Sequence, residues 1–108
     1  MTSNFMFSYS VKVKRESDAH EKVAQAVRAK IARISNIDWT KLDEVETTIK
    51  GVMSISGDNL EARRKCAQRI VNKELALILD DVHLDYLPRI HVALSVNGLG
   101  DAILFEVK

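Results

Sequence analysis

Phe5, Phe7, Tyr9, Val11 and Val13 occupy every second position of the opening stretch, with Met6, Ser8, Ser10, Lys12 and Lys14 between them. Successive side chains of an extended strand point to opposite faces, so this alternation predicts a strand buried on one face only. It also demands a second layer, because a row of aromatic and β-branched side chains must be covered by another element. Two later stretches meet that demand. Val23, Val27, Ile31 and Ile34 recur at helical spacing, which predicts a helix over about 18 to 34. Leu60, Ala67, Ile70, Val71, Leu75 and Ile78 form the inner arc of a longer helix over about 59 to 79. The pairs Asp18 with Glu21 and Asp58 with Glu61 have capping-box spacing, with Ser17 a competing cap for the first helix. Asp80 and Asp81 oppose the negative end of a helix, so the second helix stops before or at them.

Between the helices, Trp39, Leu42 and Val45 suit either a short helical turn capped by Asp38 or a loop laid over the core. Alternation then returns, with Val45, Thr47, Ile49, Met53 and Ile55 on one side and Glu46, Thr48, Lys50, Val52 and Ser54 on the other. Gly51 interrupts the inward row, as at a bulge or a close backbone approach. Pro88 ends the irregular stretch after the second helix. Ile90, Val92, Leu94 and Val96 alternate next, and the turn Asn97-Gly98-Leu99-Gly100-Asp101 leads to a last strand with Ile103, Phe105 and Val107 inward. The expected fold is therefore one α+β domain over 1–108, a two-layer sandwich in the order β-α-β-α-β-β. Two helices lie on one face of a four-stranded mixed sheet that ends in a β-hairpin. This order shares its elements with ferredoxin-like domains, which run β-α-β-β-α-β, but exchanges the last helix and hairpin. No residue-level signature accompanies the likeness, and a fold alone does not carry a function.

Composition narrows the function by exclusion. The formal net charge of +1 gives no global preference for nucleic acid, membranes or acidic substrates. One cysteine rules out an internal disulfide framework and a cysteine-based zinc cluster. The longest apolar run, Leu75 to Leu79, is far short of the ~20 residues that cross a bilayer. The opening residues lack the basic start and apolar core of a secretory signal, so a cytoplasmic protein is expected. No nucleophile elbow or glycine-rich phosphate loop is present, and no cofactor is implied.

Three readings of the remaining surface stay open. The face of the sheet away from the helices is small and polar, with Met6, Val52, Ala93 and Leu104 as a modest apolar patch. With Trp39 as a second candidate, it suits a non-catalytic binding or regulatory module that acts through protein–protein contacts and self-association. The absence of outward aromatics argues against an RNA-reading sheet. Alternatively, Lys65, Arg69 and Lys73 at four-residue spacing, with Arg64 at the margin, form a basic stripe on the second helix suited to nucleic acid or to an acidic protein. Third, Asp81, His83 and Asp85 alternate in a loop, as metal-binding or enzymatic ligands would. His20, His83 and His91 are potential bases for Cys66, although no motif ties any of them to it.

Overall fold

The computed structural model describes residues 2–34, 36, 38–42 and 47–108. The strands are β1 (Thr2–Lys12), β2 (Trp39–Lys41), β3 (Thr48–Ser54), β4 (Arg89–Val96) and β5 (Ile103–Glu106). The helices are α1 (Asp18–Ala32) and α2 (Leu60–Leu79), and a 3-10 turn, Leu84–Tyr86, precedes β4. The sheet has five strands in the order β2-β3-β1-β4-β5, and every neighbouring pair is antiparallel. The α+β architecture agrees with the sequence reading, while the strand count and the mixed sheet are corrected.

The correction comes from three residues. Trp39–Lys41 is neither a helical turn nor a loop but a short strand paired with β3, Trp39 opposite Gly51 and Lys41 opposite Ile49. Chain direction then alternates properly. β2 runs the same way as β1, β3 runs back between them, and α2 carries the chain across β1 to β4. The first six strands and helices thus follow the β-α-β-β-α-β order of ferredoxin-like domains, with β5 added at the edge. Without β2, the crossover after α1 reads as the link between two adjacent parallel strands, which produced the expected mixed sheet.

Burial on β1 follows the alternation without a break, with Phe5, Phe7, Tyr9 and Val11 inside and their neighbours exposed. They meet Ala24, Val27 and Ile31 of α1 and Ala67, Val71 and Leu75 of α2 in one core. Trp39 belongs to it, edge-on to Phe5 at 5.4 Å and to Phe7 at 5.5 Å between ring centroids. Gly51 makes this packing possible. A Cβ there would lie 2.1 Å from the Asp38 carbonyl oxygen and 3.1 Å from the Phe5 ring, and the same carbonyl accepts from the Val52 N–H.

Local details adjust other expectations. Ser17 caps α1, accepting from the His20 N–H, and Asn59 rather than Asp58 caps α2, accepting from the Ala62 N–H. Leu60 is half exposed and lies off the buried arc. Thr47 is exposed, since it lies in the turn before β3, whereas Thr48 on the outward row is buried. Ser35, Val45 and Glu46 lie outside the described residues. In the β4–β5 turn Gly98 and Gly100 adopt φ of 83° and 80°, which lets Leu99 between them drop into the core.

Candidate interaction surfaces

Both helices cover the face of the sheet bearing the odd residues of β1, so the other face is open. Strand register now decides which of its residues are neighbours. Met6 stands between Lys50 of β3 and Ser95 of β4; one row on, Ser8 stands between Thr48 and Ala93, and Ala93 faces Leu104 of β5. Val52 pairs with Asn4, one diagonal step from Met6. The sequence-selected residues Val52, Met6, Ala93 and Leu104 therefore form a single diagonal stripe over β3, β1, β4 and β5. Leu104 is 75% exposed and Met6 46%. Charge is divided by this stripe. Lys12, Lys50, Arg89 and the pair formed by His91 Nε2 and Glu106 Oε1 (3.7 Å) lie on one side, and neutral Asn4 and Ser95 on the other. A shallow concavity of about 580 Å3 lies at the β5 end, where Ser8, Ala93 and Leu104 meet His91 and Glu106.

Trp39 does not join this surface. It is 6% exposed and lies on the helix side among Phe5 and Phe7, where its ring closes one end of the core.

Ser10, His91 and Glu106 stand in one row on three adjacent strands. A serine nucleophile needs its base within hydrogen-bond reach. Among the described residues no side-chain hydrogen bond joins Ser10 to His91, so the row lacks that feature of an activated hydroxyl.

The basic stripe of α2 is divided by its contacts. Arg64 Nη1 donates to the carbonyls of Leu99 (2.7 Å) and Asp101 (2.6 Å), clamping the β4–β5 turn. Lys65 Nζ lies 3.3 Å from Glu61 Oε1, an exposed pair of the weak kind. Arg69 and Lys73 remain exposed. Arg64 thus has a structural task that spacing alone did not reveal.

Of the loop residues Asp81, His83 and Asp85, two meet. His83 Nδ1 is 3.6 Å from Asp85 Oδ2 and accepts from the Asp85 N–H. Among the described residues, no three His, Cys, Asp or Glu side chains are grouped so as to hold a metal ion, so Asp81 does not complete a site there. His20, in contrast, is buried in a different role. Its Nε2 donates to the Asp85 carbonyl at 3.0 Å, and its Nδ1 is 2.6 Å from Ser17 Oγ. Its ring packs edge-on to Tyr86 at 5.1 Å. This histidine ties the start of α1 to the turn before β4. Cys66 is half-buried beside Ser56, with 4.0 Å between Sγ and Oγ, and has no histidine partner among the described contacts.

Burial raises the Tyr9 hydroxyl above its ordinary pKa. No helix is long and apolar enough to cross a membrane, among the described residues. No family model, curated protein or solved structure matches this chain. Its class is thus stated in its own terms, as an α+β sandwich of two helices on one face of a five-stranded antiparallel sheet, among the described residues.

Proposed function

We infer that this protein is a non-catalytic binding module that self-associates through the open face of its sheet. The observation that carries this reading is the stripe Val52–Met6–Ala93–Leu104, which crosses four strands and ends on the most exposed large hydrophobic residue of the sheet, Leu104. A second copy suits the stripe for two reasons. A two-fold axis running along it lays the Lys12, Lys50 and Arg89 flank of one copy against the neutral Asn4 and Ser95 flank of the other, so like charges do not meet. The area is also adequate. Five strands of 11, 3, 7, 8 and 4 residues, about 4.8 Å apart and about 3.3 Å per residue, offer on the order of 500 Å2. A face-to-face pair then buries on the order of 1,000 Å2, about the least that a specific interface needs, as suits a dimer that dissociates on dilution.

Such an interface gives a concentration-dependent dimer. Leu104→Glu places a charge on the stripe and is expected to abolish it, leaving a single-chain mass by sedimentation and an unchanged far-UV spectrum. A wild-type protein that sediments as one chain at every concentration overturns this reading.

A further inference from the structure

The hydrogen-bond phase of β5 leaves a ladder unfilled. The Val107 N–H donates to the Ile90 carbonyl at 2.9 Å. Residues 103, 105 and 107 therefore direct their backbone groups toward β4, and Leu104 and Glu106 direct theirs outward. Among the described residues, nothing pairs with the outward N–H and C=O of Leu104 and Glu106. One step further the pattern is already answered. The Asn72 side chain accepts from the Lys108 N–H at 2.8 Å and donates to the Lys108 carbonyl at 2.9 Å. An amide from α2 thus occupies, at Lys108, the position that the next strand's backbone would take. The same flank of α2 overhangs the open edge. Lys65, Arg69, Asn72 and Lys108 line a concavity of about 430 Å3 whose strand side includes Glu106. Arg69 has no ion pair among the described residues, and the Lys65–Glu61 pair is exposed and readily exchanged.

We propose that the edge of β5 takes up an extended acidic segment of a partner protein as an added strand, its carboxylates held by Lys65, Arg69 and Lys108. This goes beyond self-association and uses a different surface. Main-chain pairing gives the affinity and the cations of α2 the selectivity, the usual division in strand addition. A peptide fits better than a nucleic acid, because the outward C=O groups require donors and a phosphodiester backbone offers only acceptors. It also fits better than a second β5, because edge-to-edge pairing of two copies brings their cationic α2 flanks side by side.

The test is amide exchange and chemical shift by NMR at low salt, with a synthetic peptide alternating Glu and Val. A Lys–Val peptide and a single-stranded oligothymidylate serve as controls. In the free protein the Leu104 and Glu106 amides exchange fast while those of Phe105 and Val107 are protected; the Glu–Val peptide is expected to protect all four. Arg69→Glu, on an exposed helical position, lowers peptide affinity about tenfold or more. Glu106→Pro removes one outward donor, leaves the bonds to β4 intact, and reduces binding further. The experiment is repeated in Met6→Lys, which disrupts the open-face stripe away from β5, so that loss of self-association and loss of peptide binding are read separately. The proposal is overturned if the Glu–Val peptide does not bind, if the Lys–Val peptide binds equally, or if the oligothymidylate displaces the peptide while the edge amides stay unprotected. It is equally overturned if Glu106→Pro converts a dimer to a monomer while Glu106→Ala does not, since the edge would then pair copies of this chain.

Discussion

On β1, Phe7 is buried among the rings of Phe5, Tyr9 and Trp39, whereas Met6, one residue away, is half exposed between Lys50 and Ser95. The helix-covered face and the open face are made by the same strands, at the same twist and spacing, and differ only in residue parity. One face is committed to holding the fold together, and its side chains have a single packing. On the other, the outward residues of β1 and β4 are exposed, Thr48 of β3 alone being buried against Ser8, and changes at the exposed positions are expected to have little effect on folding. This difference separates the side chains that hold the fold together from those free to meet a partner, because a surface available to partners must be one that the core does not use.

The comparison is sharpened by substitutions on either side of it. Phe7→Ala empties the centre of the aromatic group and is expected to lower unfolding free energy by about 3–5 kcal/mol in urea titration. A loss below about 1 kcal/mol would mean that the covered face does not dominate stability. Arg64→Ala releases the two turn carbonyls and is expected to cost about 1.5 kcal/mol in the same assay, with the Leu99 amide losing its exchange protection. Alkaline pH acts through Tyr9. Since its folded pKa is raised above the ordinary 10.0, the native state favours the neutral phenol. Stability is therefore complete below that pH and declines as pH rises through the folded value. Tyr9→Phe removes this contribution to the alkaline decline, as thermal melts across that range can show. Smallest of all, Ser95→Thr on the open face is expected to change stability by within about 0.5 kcal/mol. A larger loss would show that the open face also has a packing requirement.

Legibility followed the same division. The stripe residues Met6, Val52, Ala93 and Leu104 were visible as outward positions of separate strands, but not as one stripe, because diagonal adjacency depends on register between residues far apart in the chain. The Arg64 clamp on the Leu99 and Asp101 carbonyls was hidden for the same reason, its partners being carbonyl groups that carry no side-chain signature. Asp81, His83 and Asp85 looked convergent as an alternating loop, yet Leu84–Tyr86 winds into a 3-10 turn and breaks the alternation. The open edge of β5 had no sequence signal, since the direction of a backbone N–H follows from which neighbour claims the adjacent residue.

By itself the sequence determined the two layers, the inward rows of β1 and β4, the two amphipathic helices and the closing hairpin. Each rests on a period of two or 3.6 residues, which side-chain hydrophobicity writes directly into the chain. Only the tertiary structure decided the antiparallel order β2-β3-β1-β4-β5, because β2 is three residues long, too short to show a period. Its identity as a strand comes from pairing with β3 and from the burial of Trp39 against Phe5 and Phe7, contacts that exist only once distant segments have met.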